Sequence, residues 1–115
     1  MTESDSIFAR LMAVIEDRKA HPTDKSYTNR LLAGGVAKIG AKVTEEAAEV
    51  VEAAGEPGDE GRAHTVREAA DLVYHLFVLL GVRDIPLAEV EAELARRFGI
   101  SGLDEKASRG TPPKS

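Results

Sequence analysis

Residues 42–75, "KVTEEAAEVVEAAGEPGDEGRAHTVREAADLVYH", contain two similar acidic phrases. Glu46-x-x-Glu49 and Glu68-x-x-Asp71 lie on either side of the Gly/Pro-rich break "GEPGDEG" at 55–61. Residues three apart are neighbours on one helix face, so each phrase presents two carboxylates side by side. The spacing predicts one helix over Val36–Ala54 and another over Arg62–Val82, folded back as an antiparallel hairpin by the short break. Glu49 lies six residues before Gly55 and Glu68 seven after Gly61; Glu46 lies nine before and Asp71 ten after. At about 1.5 Å of rise per residue, Glu49 faces the height of Glu68, and Glu46 that of Asp71. This count does not set the rotation of either helix. If the acidic faces turn toward each other, four carboxylates meet in one small volume.

Working outward, helix formers dominate and alternating strand patterns are scarce. A first helix is expected over about Ser4–Lys19, broken by "AHPTDKS", and a short second helix over Thr28–Ala33 before Gly34-Gly35. A last helix is expected over Pro86–Phe98, with Pro at its first position. In 36–54, Val36, Ile39, Val43, Ala47, Val50 and Ala54 form an apolar stripe. Lys38, Lys42, Glu45, Glu49 and Glu52 line the other side, with Glu46 at its edge. After Asp71 the fourth helix is apolar nearly all round, which implies burial on more than one side, a subunit interface, or both. The expected fold is all-α, a small bundle of about five helices around a central antiparallel hairpin. It forms one domain over 1–109, followed by a disordered tail over 110–115.

Composition narrows the function. The formal net charge is −5, which disfavours nucleic acid as a partner, because such binding needs a positive surface. There is no cysteine, hence no disulfide, thiolate chemistry or Cys-based zinc site. The N-terminus has no secretory pattern, and the apolar run Leu72–Val82 is too short to span a bilayer, so a soluble cytoplasmic protein is expected.

Two readings of the acidic phrases stand at this point: a shared cation site or ordinary surface charge pairing. Asp71 begins the apolar half of its helix, where an unpaired charge is costly, so Arg67, His75 or a metal is expected to neutralise it. Carboxylates are hard ligands suited to Mg²⁺, Mn²⁺ or Ca²⁺, and Mg²⁺ commonly shares its coordination with substrate phosphates. Lys38 and Lys42, one or two turns away, are either phosphate contacts or lysines with stems laid along the surface.

Glu-x-x-Glu, 18 residues, then Glu-x-x-Asp resembles the signature of the all-α nucleoside triphosphate pyrophosphohydrolase (MazG-like) superfamily. More specifically, "SYTNRLL…GGVAKIGAKVTEEAAEVVEAA", "EAADLVYHLFVLL" and "ELARRFGISGLDEKASR" resemble the phosphoribosyl-ATP pyrophosphohydrolase family, over about Ser26–Arg109. The resemblance implies Mg²⁺-dependent hydrolysis of phosphoribosyl-ATP to phosphoribosyl-AMP and pyrophosphate, the second step of histidine biosynthesis, by an all-helical dimer. It implies a single-function form, since the fused cyclohydrolase found in some organisms needs zinc-binding cysteines. By motif, Glu46, Glu49, Glu68 and Asp71 become the metal ligands, with Glu46 and Glu49 in the catalytic set. Glu45 is either a general base or a solvated residue, and His75 a ligand or a packed partner of Asp71. Tyr27 either stacks on a base or is simply half-buried. Arg97, with Arg96, Lys106 and Arg109, either reaches the substrate's other phosphate or sits well for its helix dipole. The competing functions are a house-cleaning pyrophosphohydrolase of free nucleotides and a non-catalytic metal-binding helical dimerisation module.

Overall fold

The structure is a computed structural model that describes residues 6–98. The termini therefore lie outside it, together with Lys106, Arg109 and the expected tail. Among the described residues the protein is all-helical: α1 Ile7–Ala20, α2 Tyr27–Ala54, α3 Gly58–Val82 and α4 Leu87–Arg97, with no strand. Serine caps begin the first two. The Ser6 hydroxyl accepts from the Ala9 amide at 3.0 Å and the Ser26 hydroxyl from the Asn29 amide at 3.2 Å. Each satisfies one of the amides that a helix start leaves unpaired.

The expected separate helices over 28–33 and 36–54 run as one assigned element, so the count is four rather than about five. A kink remains inside α2, where Gly35 adopts φ 72°, ψ −167°. That region is essentially restricted to glycine. α3 starts at Gly58, earlier than the expected Arg62. Pro57 is extended, and Asp59 and Glu60 in the first turn complement the helix dipole. Gly61 makes the early start possible, because a Cβ there would collide with the Glu56 carbonyl.

α2 and α3 share the most extensive contact of the fold, with α1 packed on both. Met12 and Ile15 of α1, Leu31 and Ile39 of α2, and Phe77 and Val78 of α3 form the buried core. The α1 end is tied down by Lys19, whose ammonium donates to the Gly81 carbonyl at 2.9 Å and pairs with Asp84 at 2.6 Å. The Asn29 amide reaches the Arg18 carbonyl at 2.6 Å and joins α1 to α2.

The seam between α2 and α3 differs from the stripe expected in the sequence. Val36 is 53% exposed and Ala54 is also exposed, whereas Ile39, Glu46 and Ala53 are buried. The inward row runs 39, 43, 46, 50, 53. A shift of the stripe by less than one residue's rotation carries Glu46 from its edge to its middle.

Candidate metal centre

Glu46 comes from α2, and Glu68 and Asp71 come from α3. One carboxylate oxygen of each lies within 4.8 Å of the others. Glu46 is only 7% exposed, and its Oε1 has no hydrogen-bond partner. Burial first, then a hydrogen bond with Glu68, then the charges of Asp71, Glu49 and Glu68 push its carboxyl up to about 7. Glu49 is raised too, chiefly by its own hydrogen bond with Glu68 and then by burial. Glu68 is thus the hub: it meets Glu46 and Glu49 across the seam, and it stands beside Asp71 on its own helix. Glu49 joins through Glu68 and is not one of the three mutually close groups.

Asp71 departs from expectation. The sequence places it in a buried apolar half-helix, but its side chain is on the exposed edge, and the buried acid is Glu46. The reason is axial. The core positions of this half of α3, His75, Phe77, Val78 and Gly81, begin one turn after Asp71, which shares the face of His75 and Val78 but lies ahead of the buried stretch. His75 does not neutralise the Asp71 carboxylate either. Its Nδ1–H donates to the Asp71 backbone carbonyl at 2.9 Å.

Further groups border the cluster. His64 bridges Glu56 (Nδ1 to Oε1, 2.9 Å) and Glu68 (Nε2 to Oε2, 3.2 Å). The Glu56 hydrogen bond leads in raising its pKa, and burial opposes this. Sequence reasoning passed over His64, although its i,i+4 spacing to Glu68 is a legible signal. His75 is buried at 6% exposure, and its Nδ1 lies 4.0 Å from Glu46 Oε2. Tyr27, half-exposed, stacks on Tyr74 with centroids 6.2 Å apart, and its hydroxyl meets His75 Nε2 at 3.2 Å. The Thr28 and Tyr74 hydroxyls bond at 2.6 Å one residue along.

The predicted cations have their own partners. Lys42 pairs with Glu45 at 3.6 Å, and both flank the cluster. Lys38 is exposed, and its stem lies against Gly34, where a Cβ would collide with it. On α4, Arg96 and Arg97 both pair with Glu93, at 2.8 and 3.0 Å, and hold its carboxyl down to about 2.

Three carboxylates this close repel unless protons or a cation intervene. Burial and the neighbouring acids are the causes of the raised Glu46 pKa. A hard divalent cation suits this group of oxygens, and the buried, unpartnered Glu46 Oε1 is an unfilled donor position. The donor set therefore fits a hard divalent cation.

Comparison with known proteins bears on the same residues. Residues 8–98 match the family model described as phosphoribosyl-ATP pyrophosphohydrolase. A protein of Rhodopirellula baltica named phosphoribosyl-ATP pyrophosphatase is 52% identical over 109 residues, covering 95% of this chain and 91% of the relative. Relatives of the same name from Novosphingobium aromaticivorans and Dinoroseobacter shibae are each 53% identical. They cover 93% and 90% of this chain, and 97% and 99% of their own lengths.

Proposed function

The chain belongs to the phosphoribosyl-ATP pyrophosphohydrolase family, and on that premise we propose that it hydrolyses phosphoribosyl-ATP to phosphoribosyl-AMP and pyrophosphate with Mg²⁺ held by Glu46, Glu68 and Asp71. It is a hydrolase of histidine biosynthesis. The observation that carries the metal assignment is the buried, unpartnered Oε1 of Glu46 in a carboxylate cluster. Glu49 completes the proposed ligand set through its contact with Glu68.

Bound there, Mg²⁺ would supply charge neutralisation for the pyrophosphate leaving group and orientation for an attacking water. The chain's own residues do the rest. Glu46, Glu68 and Asp71 would hold the ion that the phosphate chain meets along the α2–α3 seam. Lys42 and Lys38, N-terminal to Glu46 on α2, offer ammonium groups to phosphate oxygens. Lys42 can exchange its weak Glu45 contact for such an oxygen. Glu45 then faces solvent as the proposed general base. Tyr27 presents a ring face for the purine. Arg97 keeps a proposed role toward the substrate's other phosphate, at the cost of its Glu93 pair.

The α2–α3 pair is proposed as the central antiparallel hairpin of a homodimer. Val51, Val66 and Leu76, at 73%, 63% and 40% exposure, leave apolar side chains on both helices without cover. No helix among the described residues is long and apolar enough to cross a membrane, which agrees with the proposed cytoplasmic location.

The test is pyrophosphate release by the purified protein with Mg²⁺. Phosphoribosyl-ATP is expected to be cleaved much faster than ATP or dUTP. Equal or faster cleavage of the free nucleotides would move the protein to the house-cleaning class. Metal binding without pyrophosphate release from any substrate would make it a non-catalytic module.

A further inference from the structure

We propose that His75, locked in one tautomer by Tyr27, is a positioning residue for the Glu46 carboxylate. The proposal rests on the reading of Glu46 as a metal ligand and names the group that aims it.

The geometry is specific. His75 is almost wholly buried, yet neither ring nitrogen lacks a polar neighbour. A carbonyl oxygen only accepts, so Nδ1 must carry the hydrogen that meets the Asp71 carbonyl at 2.9 Å. In the neutral ring Nε2 is then the acceptor, and the Tyr27 hydroxyl at 3.2 Å is its donor. Tyr27 is itself braced by stacking on Tyr74, while Tyr74 and His75 meet edge to face with centroids 5.0 Å apart. The chain Tyr27–His75–Asp71 thus joins the start of α2 to the middle of α3, 48 residues away in sequence.

The consequence falls on Glu46. Its Oε2 lies 4.0 Å from the same Nδ1, too far for a hydrogen bond but close enough to feel the N–H dipole. Its Oε1 has no partner. A fixed dipole beside Oε2, with no hydrogen-bond partner on Oε1, favours the one orientation that keeps Oε2 toward the imidazole and leaves Oε1 free to take a ligand. The opposite tautomer would turn a lone pair toward Oε2 and remove that preference. Partners of this kind commonly change metal affinity 10–100-fold when lost. The same ring also holds the Asp71 backbone, so two of the three clustered acids depend on it.

The test uses Mn²⁺ as the probe and reads binding rather than turnover, in the full chain. Tyr27→Phe deletes only the hydroxyl. Imidazole ¹⁵N NMR is expected to show a single Nδ1–H tautomer for His75 in the wild type and a mixture in Tyr27→Phe. The Mn²⁺ dissociation constant is expected to rise about tenfold. His75→Asn places an amide N–H near the Nδ1 position and retains most of the affinity, whereas His75→Gln mimics Nε2 and loses it. A purely space-filling histidine would make Asn and Gln equally harmful, which overturns the proposal. So would an Nε2–H tautomer in the wild type, or unchanged Mn²⁺ affinity in Tyr27→Phe. If the wild type binds no Mn²⁺ at all, the metal assignment itself fails; wild-type binding with indifferent variants sinks only the positioning role.

Discussion

Replacing Glu46 by Gln should stabilise the metal-free protein at alkaline pH and destroy its stabilisation by Mg²⁺. The two opposite effects come from one carboxyl. In the folded chain burial, first of all, pushes it up to about 7 from the ordinary 4.5 of a free glutamate. A raised acid pKa means that the folded state prefers the protonated form. Below pH 4.5 both states are protonated and nothing is lost. Between there and pH 7 the folded state pays a growing penalty, which is complete above pH 7. A displacement of this size corresponds to at most about 3 kcal/mol. Part of it comes from the charges of neighbouring acids that solvent screens, so about 1–3 kcal/mol is expected. Glutamine mimics the protonated acid, and its amide can donate to Glu68 or Asp71. With EDTA at pH 8 the variant should therefore melt higher, by roughly 4–8 °C per kcal/mol for a domain of this size. At pH 5 the gap should shrink to about a quarter of its pH 8 size. With Mg²⁺ at about 100 times its Kd the wild type gains about 2.7 kcal/mol and the order reverses, since the variant has lost a charged ligand. Loss of the His64 contribution as pH rises above 6.5 is common to both chains and cancels in the comparison. Melting curves at pH 5, 6, 7 and 8, with EDTA or Mg²⁺, read all of this. Equal stability in EDTA at pH 8, or Mg²⁺ stabilisation that survives in the variant, refutes the reasoning.

Glu49→Gln should abolish pyrophosphate release with helicity by circular dichroism and assembly mass unchanged; retained turnover removes Glu49 from the site. Asp71→Asn leaves an exposed residue of the same shape and should weaken Mg²⁺ by tenfold or more in calorimetry, with less than about 0.5 kcal/mol change in metal-free stability. Gly35→Ala meets no atom within 4 Å, but it must hold φ 72° and ψ −167°. It should cost about 1–3 kcal/mol in a denaturant titration, and a loss below 0.5 kcal/mol would mean that the kink relaxes freely.

Much of this was legible in the sequence. Five segments of helical periodicity, scarce strand patterns and a turn with Gly and Pro lead to an all-helical chain without long-range information, although two of the five run as one element. The i,i+3 acid pairs and their distances from the turn place Glu49 level with Glu68, and Glu68 is the leading cause of the raised Glu49 pKa. The rotation of each helix about its axis was not legible, because periodicity says which residues share a face but not where the seam between two faces runs. Apolar counting drew the α2 seam through Val36 and Ala54 and left Glu46 at the edge. Packing drew it through Ile39 and Ala53 and put Glu46 inside. On α3 the buried stretch begins one turn later than the apolar run suggests, which leaves Asp71 exposed. Tyr27 and His75 meet only because the kink at Gly35 and the turn at 55–57 bring distant segments together. No local pattern encodes that contact.

The exchange of Glu46 for Asp71 as the buried acid bears on function. Burying a carboxylate without a partner destabilises the chain, and a core position filled by leucine would avoid the loss. A fold that keeps Glu46 there, with Oε2 4.0 Å from His75 Nδ1, Oε1 unpartnered, and Glu68 and Asp71 close by, stores electrostatic repulsion that a cation relieves on binding. Surface carboxylates of equal number could not do this, because water already screens them. The Glu46 position therefore couples metal occupancy to the stability of the α2–α3 seam. It follows that Mg²⁺ should tighten amide hydrogen exchange along residues 39–53 and 68–78 more than in α4, whose residues are not buried in the core.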